Sequence, residues 1–383
     1  MSVKLTCNQQ ELAKGLSTVS HAVSSRTTLP ILSHILLKAE GNAIRLAATN
    51  LEIGITARVP ATIQQEGTTT VPAKLFTDFV GTLSDGPVTL TMQEESQSLK
   101  VSGKPSQATV RGMDASEFPA IPTAGETEPA VELPADELRT MIARTAFAAA
   151  TDDARPVFTG VLARVQNGML TFAAADSFRL AVARSEAGGE ATPGDVLIPA
   201  RTLTELAKVL PSDGETTVRM VVTANRNQVL FQAGDVNLVS NLIAGQFPNF
   251  EAILPKTAAT RASLPTGEFR QAAKTAALFA QTNANIVRLK VESGEGGAVM
   301  PGAVTLLATA DELGDATTTI DAAVDGNGLE IIFNVKYLTD VLSVIDGGDV
   351  ALELNTPQQP GVVKPVGQDD KYVYVIMPMH STR

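Results

Sequence analysis

The chain has 383 residues, 44% of them hydrophobic, a net charge of −11 and one cysteine, Cys7. That length holds two or three domains, and no apolar run of about 18 residues is present to span a membrane as a helix. One cysteine excludes an intrachain disulfide and a multi-cysteine metal site, and the acidic sum argues against a nucleic-acid partner unless positive charge is concentrated locally. Ser2 to Cys7 reads as a strand leading into a helix from about Gln9 to Val23, where Leu12, Leu16, Val19 and Val23 form one apolar stripe. Ile35 to Ala39, Ala43 to Ala48 and Ile53 to Val59 alternate at period two, parted by turns at Gly41-Asn42 and Leu51-Glu52. A second helix, Ala73 to Leu83, is stopped by Ser84-Asp85-Gly86-Pro87, and further strands follow.

The same order then returns. Ala130 to Leu133 reads as a strand, Leu138, Ile142 and Thr145 as the next helical stripe, and Pro211 to Gly214 and Asp346 to Gly348 as stops of later helices. Three markers keep step. Glu11, Glu137 and Glu268 open the first helix of each unit. Val71-Pro72-Ala73-Lys74, Ile198-Pro199-Ala200-Arg201 and Phe333-Asn334-Val335-Lys336 open the second. Phe118-Pro119, Phe247-Pro248 and Met377-Pro378 close each unit. A period of roughly 130 residues is far longer than a solenoid repeat, so each unit is a whole domain. We expect an α+β fold of three repeated domains, 1–124, 128–252 and 255–383, each with two helices packed on β-sheet. Ala120 to Pro129 and Leu254 to Ala262 read as linkers, and Gly294 to Gly302 as an acidic hairpin tip.

Catalytic constellations are missing. His21, His34 and His380 lie in separate contexts without metal-ligand spacing, and no nucleophile elbow, P-loop or dinucleotide fingerprint occurs. Asp152-Asp153 is read as a solvated helix exit, and Cys7 as inert strand packing. We expect no catalytic residue, metal or cofactor. A repeat-built enzyme would need clustered titrating groups, and an extracellular adhesion protein a signal peptide and cysteines. The Met1 to Thr6 start has no apolar leader, so a cytoplasmic location is expected.

Charge is segregated by element. The expected helices carry Lys14, Lys74, Arg139, Arg144, Arg201, Lys208, Arg270, Lys274 and Lys336 against Glu11, Asp78, Asp136, Glu137, Glu205, Glu268 and Asp340. They are net positive in an acidic chain, so a face that gathered them would attract a DNA backbone.

Arg26-Thr27-Thr28-Leu29-Pro30-Ile31-Leu32, Ala48 to Glu52, Val71 to Lys74, Phe247-Pro248-Asn249-Phe250, Phe333 to Tyr337 and the tail Tyr374 to Met379 closely resemble the bacterial β sliding clamps, processivity subunits of DNA polymerase III. The resemblance spans the whole chain. It implies a head-to-tail homodimer closed as a ring around duplex DNA, helices lining the hole, loaded by a clamp loader and sliding without reading sequence. It also implies DNA-facing roles for Arg26, Lys74 and Arg201. A groove for short peptides of the replicative polymerase and other partners is implied at Arg155, Phe158, Ala175, Ser177, Phe178, Arg179, Leu180, Pro248, Ile253, Asn334, Tyr337, Gly361, Val375, Met377, Pro378 and Met379. Ala175, Phe178 and Ala252 depart from common family residues, so peptide preference is expected to differ. For ring closure the resemblance implies Ala277 and Leu278. Lys100 and Lys104, facing Asp311, Glu312 or Asp315, are expected to add attraction.

Overall fold

The computed structural model describes residues 3–24, 28–93, 97–123, 125, 128–152, 154–190, 194–293, 300–310 and 314–379. Among them lie six α-helices: α1 Gln9–Ser20, α2 Ala73–Thr82, α3 Ala135–Thr145, α4 Ala200–Val209, α5 Thr266–Ala280 and α6 Val335–Ser343. The strands form two antiparallel sheets, one 13-stranded and one 12-stranded. By contact the chain divides into two compact units, Met1–Arg139 with Ala187–Thr192 and Arg201–Leu242, and Thr140–Glu186 with Pro193–Ala200 and Ile243–Arg383.

In the first unit the strand Lys4–Asn8 runs into α1, whose start is fixed by Asn8: its Oδ1 accepts from the N–H of Gln10 at 2.8 Å and of Glu11 at 3.3 Å. Leu12, Leu16 and Val19 are buried as the stripe requires. The helix ends at Ser20, earlier than expected; Ala22, in the following turn, is buried while Val23 is only half-buried. A Cβ on Gly15 would lie 2.5 Å from Val59 Cγ2, so α1 rests close against the strand Ile53–Gln65. That strand outruns the expected stop at Val59. Its first part pairs with Ala43–Thr49 and Val236–Asn241, and its last residues pair with Lys4–Asn8. Cys7 is buried, and burial pushes its thiol up to about 12, which makes it the inert packing residue expected.

The second unit repeats the device in Gly314–Gly326, paired along its length with Met300–Ala310 and at its end with Thr260–Pro265. Thr260, Arg261 and Ala262, expected in a linker, belong to that last strand, because both neighbours bond to it. The linker 120–129 is likewise partly packed: Ile121 lies on Ala130, Val221, Leu230 and Val239. Residues 294–299 of the expected hairpin tip lie outside the described residues.

Strand registers align the repeats. Cys7 opposes Val88 as Leu133 opposes Val218 and Leu264 opposes Val350. Likewise Ile53 opposes Ser240 as Arg179 opposes Ile376. Met377 therefore corresponds to Asn241, not to Phe247, and the third Phe-Pro-like marker is a coincidence of spacing: loop lengths differ between repeats and offset each other.

The register also exposes a shared helix pin. Gln9 Nε2 donates to Val80 O at 2.8 Å, Arg139 Nε to Ala207 O at 3.3 Å and Arg270 Nε to Leu342 O at 2.6 Å. These carbonyls stand at matching positions near the C-terminal ends of α2, α4 and α6, the last turns where helices carry spare acceptor capacity. Arg139 and Arg270 also bond carbonyls beyond the helix, those of Leu210 and Pro211 and of Ile345.

Candidate functional site

The second unit holds the richest surface. The turn before the strand Arg179–Glu186 is set by Asp176, whose Oδ1 accepts from the N–H of Phe178 at 2.7 Å and of Arg179 at 3.0 Å. This throws Ser177 and Phe178 outward. The Phe178 ring, 56% exposed, stacks on Tyr337 with centroids 6.4 Å apart, while Met377 N–H donates to Phe178 O at 2.8 Å. Arg179 turns the other way and is nearly buried: it bonds Asp176 Oδ2 at 3.0 Å, Asp340 Oδ2 at 2.5 Å and Phe147 O at 2.8 Å. Its guanidinium lies over the rings of Tyr337 and Phe147. Burial pushes the neighbouring Tyr374 hydroxyl above its ordinary range, so it is a neutral donor, given to Tyr337 O at 3.2 Å.

Below this rim Leu180 and Val375 oppose each other across the Arg179–Glu186 and Tyr372–Ile376 pairing and are buried in one cluster with Ala175, Val362, Phe247 and Phe250. Phe158 packs edge-on against Phe247 at 6.1 Å, and the Arg155 guanidinium covers Phe158 and donates to the Ser177 hydroxyl. Phe178, Ile253 and Met377 stay exposed around it. The result is an apolar floor with exposed apolar and cationic groups at its edge, suited to anchor a short segment bearing large apolar side chains.

Most of the expected groove residues thus come together, in different roles. Ala175, Leu180 and Val375 are floor, and Arg179 is a structural hub rather than an open contact. Two shape the main chain around the groove instead. Asn334 caps α6, its Oδ1 accepting from Lys336 N–H at 3.0 Å, and Gly361 lets Phe333 approach, since a Cβ there would lie 2.5 Å from the ring. Pro248 is exposed, Pro378 and Met379 are half-buried, and Met379 N–H donates to Ile332 O at 2.8 Å. Sequence reasoning missed Phe147, Asp176 and Phe250, and took Asp340 only as a helix charge; the Asp-x-x-Arg spacing of Asp176 and Arg179 was the available signal.

Of the expected DNA-facing residues, Lys14, Lys74, Arg201, Lys208, Lys274 and Lys336 are exposed. Lys74 pairs with Asp78 at 2.7 Å, and Lys208 with Glu205 at 2.9 Å, which also meets His21 at 2.7 Å. Arg139, Arg144 and Arg270 are half-buried. Two of them pin helix ends, and Arg144 lies over the Tyr372 ring at 5.3 Å. Arg26 lies outside the described residues, as do Asp311, Glu312, Asp153 and His380. Lys100, Lys104, Asp315 and Leu278 are exposed, Leu278 by 68%, and Ala277 is half-buried. His34 is buried on the Thr70 hydroxyl at 3.1 Å. Asp152 is exposed and accepts from the Ala154 N–H at 3.1 Å. No group of three His, Cys, Asp or Glu among the described residues is placed to hold a metal, and no described helix is long and apolar enough to cross a membrane.

Comparison with known proteins agrees along the chain. The family descriptions "DNA polymerase III beta subunit" N-terminal, central and C-terminal domain match residues 3–122, 132–249 and 251–380. The beta sliding clamp of Synechocystis is 34% identical, over 98% of this chain and 99% of the relative. The crystal structure of the Bacillus subtilis sliding clamp superposes with a TM-score of 0.90 at 28% identity, covering 100% of both chains. A Pseudomonas aeruginosa sliding clamp bound to griselimycin superposes at 0.88, also at 28% identity and 100% of both chains.

Proposed function

We propose that this chain, which belongs to the DNA polymerase III beta subunit family of sliding clamps, encircles duplex DNA and tethers the replicative polymerase and other partners through the groove around Leu180 and Val375. It is a processivity factor and not a catalyst. The three domains are assigned to 1–124, 128–252 and 255–383, and the setting to the cytoplasm, where a clamp loader would place the ring on DNA.

One observation carries the ring. Inside the chain two repeat boundaries are bridged by the same pairing, Ile53–Ala57 with Val236–Ser240 and Arg179–Ala183 with Tyr372–Ile376. By register the third instance needs the edge 106–110 and the edge 314–318. Among the described residues, Gln107–Arg111 pairs only with Ser98–Ser102, and Gly314–Thr318 only with Leu306–Ala310. Two copies head to tail satisfy both edges twice. Thr109 would then oppose Asp315, with Lys100 and Lys104 near the acid. At the matching helix positions, exposed Leu278 would meet exposed Leu75, as Phe147 meets Tyr337 across the Arg179 hub. Leu278→Asp is expected to convert a dimer to monomers by light scattering; an unmutated chain that is strictly monomeric rejects the ring.

The groove takes short partner peptides by apolar anchoring, with Phe178, Ile253 and Met377 closing over them. Lys14, Lys74, Arg201, Lys208, Lys274 and Lys336, with Arg26 outside the described residues, are assigned to the phosphates, and Arg139, Arg144 and Arg270 add positive charge to the field. The deciding experiment compares retention on circular and linearised DNA. A loaded ring stays on the circle in high salt and leaves free ends, whereas equal, salt-sensitive loss from both rejects topological binding.

A further inference from the structure

One strand position is filled differently in the central repeat. His34 opposes Pro72 as Gly160 opposes Pro199 and Ile286 opposes Asn334, so Lys38, Arg164 and Lys290 are equivalent. Both lysines pair with a glutamate two residues further along their own strands, Lys38 with Glu40 and Lys290 with Glu292, each at 2.6 Å. Gln166 stands there in the central repeat, and the cation turns elsewhere. Arg164 forks onto Asp195, Nε to Oδ1 at 2.9 Å and Nη2 to Oδ2 at 2.7 Å, and reaches Glu251 Oε1 at 3.5 Å. Its guanidinium also lies over the Phe250 ring, 5.4 Å from the centroid. A lysine could not fork and stack at once, because an ammonium is a point charge without a plane.

Two of those partners, Phe250 and Glu251, belong to the short turn Phe250–Ala252 that borders the groove. Phe250 is buried in the floor cluster with Leu180 and Val375, and Ile253, whose N–H donates to Phe250 O at 3.0 Å, is exposed at the edge. Leu162, two residues before Arg164 and so on the same strand face, is in that cluster too. We propose that Arg164 is a positioning residue for the groove, fastening this turn to the strand Gly160–Gln166 and so fixing Phe250 and Ile253 before a partner arrives. The role rests on the groove reading and deepens it. Arg164 raises affinity for the bound segment by ordering the wall beforehand, not by touching the peptide.

The test introduces Arg164→Met into the unmutated chain and into an Ile253→Ala background, and reads fluorescence anisotropy with a fluorescein-labelled peptide rich in Leu and Phe. A copy with those residues replaced by Ser is the blank. Because the ion pair is partly exposed, the variants should fold with little change in the melt. Arg164→Met is expected to weaken binding about fivefold in the unmutated background, mostly through faster dissociation, and less than about twofold once Ile253 is truncated. Methyl relaxation of Ile253 without peptide should show a lower order parameter in Arg164→Met. A folded Arg164→Met chain with unchanged affinity, or with the same loss in both backgrounds, overturns the role, as does an unchanged Ile253 methyl. A peptide that binds the unmutated chain no better than its blank overturns the groove reading instead. The methyl measurement needs no peptide and then still decides whether Arg164 orders the turn.

Discussion

The two boundary pairings share a backbone and differ in what they present. Asn241 N–H donates to Glu52 O at 3.0 Å just as Met377 N–H donates to Phe178 O, so the lips superimpose in register. At the first, the lip is Leu51, Glu52 and Asn241, and the floor position is Gly54, whose Cβ would come within 3.0 Å of Ile121 and 3.1 Å of Val239. At the second, the lip is Ser177, Phe178 and Met377, and the floor is Leu180. Thr202 and Ser240 share a buried hydroxyl bond of 2.9 Å at the first; the second has Tyr337 and Ile376 there. Strand pairing therefore builds a joint, and only the side chains decide whether the joint also docks a partner.

Exchanging those side chains tests the contrast. Leu180→Gly should cost the second unit about 3–5 kcal/mol from cavity and backbone entropy, read as a shifted urea transition with peptide binding lost. An unshifted transition would show that the floor is not packed. Arg179→Ala strands Asp176 and Asp340 and should cost about 2–4 kcal/mol, because both carboxylates lose their shared cation. The reciprocal Gly54→Leu overpacks Ile121 and should cost about 1–3 kcal/mol in the first unit alone. Hydrogen exchange localises it, and protection lost equally in both units would contradict a local clash. Smallest is Phe178→Glu, which gives the second lip the first lip's residue. Being exposed, it should leave the melt unchanged while weakening peptide affinity about tenfold, or about 1.4 kcal/mol by calorimetry.

Repetition, helix starts and alternation were readable because each rests on local rules: Asn8 before α1, the stripe of Leu12, Leu16 and Val19, the Pro72-Ala73 entry to α2. What failed was long-range. Thr260 to Ala262 looked like linker because Thr, Arg and Ala carry little apolar signal until both neighbouring strands are known. Arg139 and Arg270 read only as helix charges because their carbonyl partners lie some 70 residues on. The groove residues were named through a resemblance; unaided, Met377-Pro378-Met379 reads as strand packing, whereas the strand ends at Ile376 and Met377 is exposed.

In the proposed ring the edges Gln107–Arg111 and Gly314–Thr318 act as one head and one tail on each chain. Monomers with one head and one tail have only two ways to satisfy both, an endless filament or a closed cycle, and only the cycle leaves neither of those two edges open. Closure is then a matter of angle and not of affinity. A variant that alters how far each joint turns would keep its fold and its contacts yet miscount its partners, and would appear as fibres or rings of the wrong number before it appeared as an unstable protein.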